Sequence, residues 1–224
     1  MAAILACLGA CATQTGTGRA TVLAPGELQW GGAPVAVVHA AKITPAAPVQ
    51  APWLELMGQL RAGVAPDLEA GVRAWAFGLL TLDNVGAALD AKWQLRRGRV
   101  DVATGGSLAW QRTSLGGWPW HGTGVTVPLT AGLDLGPHQL FGSFRAGAGV
   151  VSGESQKTQG FGWGGVGVGF ALAVGHWQVI PEAFLGWAPI GWNGAHPDRE
   201  RTGASAFEVA LDFVRSVGNA AVTP

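Results

Sequence analysis

The sequence predicts an all-β fold, an antiparallel up-and-down barrel of about ten strands, with eight as the alternative count. Three observations carry it. Segments of about ten to fourteen residues alternate apolar with polar or small side chains at a period of two, which suits a pleated strand and no helix. Short and long connections alternate along the chain. Charge is scarce: charged residues make up 12% of the 224, Gly accounts for 36, and mean hydropathy is +0.27, whereas soluble domains carry roughly 25% charge. A surface facing water would be short of charged groups.

The elements follow in order. ELQWGGAPVAVVHAA opens the series and is apolar on both faces. In LELMGQLRAGV, Leu54, Leu56, Leu60 and Val64 share one face while Glu55, Gln59 and Arg61 share the other. DNVGAALDAKWQLRR repeats the pattern, with Val85, Leu89, Trp93 and Leu95 opposed by Asn84, Asp90, Lys92, Gln94 and Arg96. RVDVATGGSLAWQRT, HQLFGSFRAGAGVVS and WQVIPEAFLGWAPI match in length with weaker alternation. Val125, Val127, Leu129, Leu133 and Leu135 oppose Thr126, Thr130 and Asp134. In FGWGGVGVGFALAV, Val166, Val168, Phe170, Leu172 and Val174 alternate with Gly165, Gly167, Gly169, Ala171 and Ala173. Phe207, Val209, Leu211 and Phe213 close the series against Glu208 and Asp212.

The connections say where the oily faces point. The short turns are Ala65-Pro66-Asp67, Arg97-Gly98, Gly136-Pro137 and Gly175-His176; the longer ones are KITPAAPVQAPW, the region around Leu79 to Leu82, SLGGWPWHG, GESQKTQG and GWNGAHPDRERTG. Tight turns at one end, longer loops at the other and an even strand count characterise a transmembrane barrel of the bacterial outer membrane. Trp177 and Trp187 share a face ten residues apart, which spans about 25 Å of membrane normal at the usual rise and tilt. With Trp93 and Trp110 they are the expected interface aromatics. The hydrocarbon side chains then face lipid. Glu55, Arg61, Glu69, Arg73, Asp90, Lys92, Arg96, Arg99, Asp101, Asp134, Arg145, Glu182, Glu208 and Asp212 face the lumen. Mixed signs in a narrow space predict a paired charge network rather than a wide pore, because an unpaired buried charge costs several kcal/mol. Pro34, Pro128 and Pro181 lack a ladder donor, and bulges are the expected accommodation.

Several classes drop out. Lys+Arg and Asp+Glu are equal at 14, so the basic footprint of a nucleic-acid binder is missing. Gly162-Trp163-Gly164-Gly165-Val166-Gly167 fits a dinucleotide fingerprint in letters alone, since it opens a strand rather than a helix. No cofactor, metal site or catalytic motif is expected. His196-Pro197-Asp198 with Asp83 would imitate the rim site of omptin-type membrane proteases, but the spacing does not reproduce that family's Asp-Asp and Asp-His pairs. The Trp118-Pro119-Trp120 stretch and Trp192 beside charged residues suit interface anchoring or contact with lipopolysaccharide.

The amino terminus, MAAILACLGACATQTGTG, has the shape of an export signal. Leu8-Gly9-Ala10-Cys11 resembles a lipobox, which implies cleavage before Cys11 and its acylation. The lipobox, the tail running to APGE and the LDAKWQL segment together resemble poorly characterised outer-membrane barrel proteins of deltaproteobacteria and related Gram-negative bacteria. That resemblance implies fold and location without a substrate. The expected organisation is a signal over 1–11, a periplasmic linker over 12–26, the barrel over 27–217 and a tail over 218–224. The expected function is a non-catalytic outer-membrane barrel, structural or narrowly permeable, whose expected partners are outer-membrane lipid, with lipopolysaccharide a candidate among it, and the barrel-assembly machinery. A secreted lipocalin-like barrel with the oily faces inward is the first alternative, and an outer-membrane enzyme with a rim site is the second.

Overall fold

The computed structural model describes residues 18–44, 47–77, 84–114, 119–153, 156–189 and 203–217. Ten strands form one closed antiparallel barrel in which each pairs with its sequence neighbours and the last returns to the first. They are β1 (Leu28–Thr44), β2 (Ala47–Ala65), β3 (Leu68–Phe77), β4 (Asn84–Arg96), β5 (Val100–Thr113), β6 (Trp120–Leu135), β7 (His138–Gly153), β8 (Gln156–Val174), β9 (Trp177–Pro189) and β10 (Gly203–Val217). Closure removes every free edge along the paired rows, the condition for a sheet to sit in hydrocarbon.

Burial decides which of the alternating faces is in. Leu54, Leu56 and Leu60 are exposed while Glu55, Met57, Gln59 and Arg61 between them are buried. Leu56, Leu129, Val168 and Leu211 all lie on the outer wall, and Glu55, Glu208 and Asp212 are wholly enclosed. The lipocalin-like alternative fails here, because it needs these faces reversed.

The tight turns fall together at one end, between β2 and β3, β4 and β5, β6 and β7, and β8 and β9. Gly136 and Gly175 take positive φ of 73° and 62°, the left-handed conformation that favours Gly in so short a connection.

Three expectations are corrected. KITPAAPVQAPW and GESQKTQG are strand for most of their length: β1 and β2 pair from Leu28↔Ala62 out to Thr44↔Ala47, and β7 and β8 out to Gly153↔Gln156. Residues 47–54 of β2 pair with β1, and among the described residues the β2–β3 ladder begins at Glu55↔Phe77.

The prolines do not make bulges. At Pro34, Pro128 and Pro181 the register is the same on both sides, and the ladder to one neighbour opens for two rows. The other neighbour stays paired, with Pro34↔Leu56, Pro128↔Arg145 and Pro181↔Leu211 intact. A proline lacks one donor aimed at one strand, so local opening costs less than shifting every later side chain to the wrong face. The Thr104 hydroxyl donates to the Pro128 carbonyl at 2.9 Å across one such gap.

The third concerns Arg96, Arg99 and Asp134, which are exposed. A register shift between Gln94 and Arg96 takes Arg96 off the inner face, Arg99 sits in the turn, and Asp134 lies at the barrel mouth.

Candidate functional site: the filled lumen

The lumen is the one compartment where the sequence concentrates chemistry, and it fills in three tiers. At the turn end the chain's own residues 19–24 enter the barrel. Ala20, Val22 and Leu23 are no more than 2% exposed. Their amides each meet a lumen side chain: Ala20 donates to Gln139 Oε1 at 2.8 Å, Val22 to Gln94 Oε1 at 2.7 Å and Leu23 to Glu69 Oε2 at 3.2 Å. The Thr21 hydroxyl donates to Asp101 at 2.7 Å, and Lys92 Nζ donates to the Arg19 carbonyl at 3.1 Å. Gly63 lets the segment pass, because a Cβ there would overlap the Ala24 carbonyl oxygen. The Gly63 amide donates to Glu27 and its carbonyl accepts from Gly26, both at 2.9 Å. The stretch expected to be a linker therefore lies, in its described part, within the barrel mouth.

The middle tier holds the ion pairs. Glu69 accepts from Arg61 at 2.9 Å and from Lys92 at 3.2 Å. Arg61 Nε continues to Gln59 Oε1 at 2.8 Å, and Gln59 Nε2 to Asp212 at 3.3 Å. Arg73 grips Asp90 with two parallel bonds of 2.7 and 2.9 Å, the planar fork that guanidinium geometry favours, and reaches Ser107 at 3.3 Å. Arg145 pairs with Glu182, both wholly buried, and its guanidinium lies 5.1 Å from the centre of the Phe184 ring. Glu208, also wholly buried, stands in register with Val37 of β1 and Phe184 of β9.

Towards the loop end a relay of neutral donors and rings takes over. Gln111 donates to Thr113, Thr113 to Asn84 Oδ1 and Asn84 to Glu55, at 3.0, 3.1 and 2.8 Å. Trp75, Phe161 and Trp163 are buried beside them, with Trp163 edge-on to Phe184 at 6.2 Å.

Each residue expected in the charge network, Glu55, Arg61, Arg73, Asp90, Lys92, Arg145, Glu182, Glu208 and Asp212, projects inward. The sequence reading missed the rings that share the lumen. Phe141 and Phe184 follow the same inward phase as Arg145 and Glu182, which was the available signal. Their space comes from β8: a Cβ on Gly169 would strike Phe141, and one on Gly165 would strike Phe184. These glycines make room for rings of adjacent strands rather than for large groups across the lumen. It also missed Gln139, whose two ends bind Ala20 and Asp134, at 2.8 and 2.7 Å.

On the outer wall Trp93, Trp110, Trp177 and Trp187 all point outward. Trp177 meets Trp30 edge-on at 5.4 Å, with the Arg215 guanidinium 6.0 Å from the Trp177 ring. Cys11, Asp83, Trp118, Trp192, His196 and Asp198 lie outside the described residues. Among the described residues no group of three or more His, Cys, Asp or Glu side chains is placed to hold a metal ion.

No protein-family profile and no curated protein matches the sequence. Solved structures do match in fold. An outer membrane channel from Pseudomonas putida F1 superposes with TM-score 0.53 at 11% identity, over 91% of this chain and 100% of the other. The outer membrane protease OmpT of Escherichia coli gives TM-score 0.45 at 9% identity, over 89% and 99% of the two chains. Neisserial surface protein A gives 0.41 at 8% identity, over 86% and 99%. The Pseudomonas channel shares the fold of this chain, a closed β-barrel.

Proposed function

We propose that this outer-membrane barrel is a non-catalytic structural component of the envelope, with a lumen closed to solutes. The observation that carries this reading is the filling of the lumen by its own side chains and by residues 19–24. A conducting path needs continuous water, and here three amides of the entering segment are bonded directly to side chains at the turn end. Beyond them come paired charges and then aromatic rings. Fixed ion pairs suit a wall better than a filter, since a permeant ion would have to displace a partner from a buried charge. Outer-membrane lipid and the barrel-assembly machinery are the partners this role needs.

Planar-bilayer recording on the purified, reconstituted chain tests the reading. The expected trace is silent at 1 M salt. Reproducible unitary current steps would overturn closure and establish the narrow-permeation role in its place.

A further inference from the structure

Over β2 to β6 a groove of about 790 Å³ crosses the outer wall obliquely. Its floor is a row of small residues in register, Gly58↔Ala74 and Ala74↔Ala87, which ends against Trp110 and Thr123. Leu60 and Leu89 rise beside it, both among the exposed hydrophobics of the wall. Measured along the strands from the tight turns, Gly58 stands about eight residues up and Thr123 about thirteen, so the groove climbs by roughly 12 Å towards the loop end. Its low end lies at mid-membrane and its high end at the outer interface. Two rows further on, Arg112 and His121 stand opposite each other on β5 and β6. Both are exposed. The His121 ring is stacked on Trp110 at 6.2 Å and 29°, which holds it over the groove mouth. Among the described residues every exposed carboxylate lies at the opposite, turn-bearing end.

We propose that this groove binds lipopolysaccharide, with an acyl chain along the Gly58–Ala87 floor and a glucosamine phosphate held by Arg112 and His121. The chemistry divides in the way the surface does. A hydrocarbon chain gains contact where small residues let it approach the backbone, and a phosphate gains charge-assisted hydrogen bonds from a guanidinium and an imidazole N–H. Lipopolysaccharide is selected over a glycerophospholipid because the two cations beside the groove, Arg112 and His121, stand at the loop end, which faces the outer leaflet where the phosphorylated glycolipid resides. The inference rests on the membrane placement of the barrel and is independent of whether the lumen conducts.

The test is binding of bis-phosphorylated lipid A, presented in phosphatidylcholine nanodiscs, to the full chain. Wild type is compared with the double variant Arg112→Ala/His121→Ala and with Ala87→Leu, which fills the floor. Folding of each is checked by its mobility shift on unboiled gels. Both variants should bind at least about tenfold more weakly, and dephosphorylated lipid A should bind wild type as weakly as the double variant binds the phosphorylated form. Retention of wild-type affinity by either folded variant would overturn the site. Equal affinity for phosphatidylglycerol would overturn the assignment to lipopolysaccharide.

Discussion

The two ends of the lumen hold polar side chains by different means. At the turn end Glu69, Gln94 and Gln139 find partners in backbone amides of residues 20–23, a piece of chain that lies outside the barrel wall. At the loop end Glu55, Asn84, Thr113 and Gln111 satisfy one another within the wall. The first arrangement ties β3, β4 and β7 together through a single segment, whereas the second links β2, β4 and β5 by side chains alone. A buried polar group must be bonded. Supplying its partner from backbone outside the wall makes that end depend on a part of the sequence that contributes nothing to the barrel ladder.

Three substitutions sharpen this contrast, each read as the urea midpoint of reversible unfolding in lipid vesicles. Arg145→Ala removes the ion-pair partner of Glu182 in a site wholly without solvent, belonging to neither end, and sets the upper bound: a loss of about 3–5 kcal/mol is expected. A loss below 1 kcal/mol would mean water reaches the middle tier, contradicting the closed lumen. Deleting Arg19 to Ala24 uncovers three hydrogen-bonding side chains and removes the buried Val22 and Leu23, with an expected loss of about 3 kcal/mol. No change would show that the turn end stands without its segment. Asn84→Ala breaks the relay at the loop end, where Glu55 and Thr113 lose one bond each, and about 1–2 kcal/mol is expected. A larger effect than the deletion would reverse the comparison.

Much of this was legible from single residues and their phase. Val166, Val168, Leu56 and Leu211 declare an oily face by alternation, and Glu55, Asp90 and Arg145 fall on the other. The turns at Gly136-Pro137 and Gly175-His176 were visible because a reversal so short needs residues tolerant of unusual φ. What was not legible depended on neighbours. KITPAAPVQAPW reads as loop by its prolines, yet pairing with β1 carries most of it as strand, since strand propensity is weak beside a partner's ladder. The glycines of β8 read as empty space because nothing local says that Phe141 and Phe184 stand next to them. Residues 19–24 show no alternation and no charge pattern of their own beyond Arg19, so no signal in that stretch marks them as lumen-bound.

The sequence by itself determined the alternation of faces along each strand and the positions of the four tight turns, because side-chain period and turn chemistry are properties of consecutive residues; the count of ten and the face that points inward came from closure of the barrel. Only the tertiary structure decided which charges pair, that rings share the lumen with them, and that the entering segment closes one mouth. Those are contacts between residues as far apart as Ala20 and Gln139, and register across closed strands alone brings them within reach.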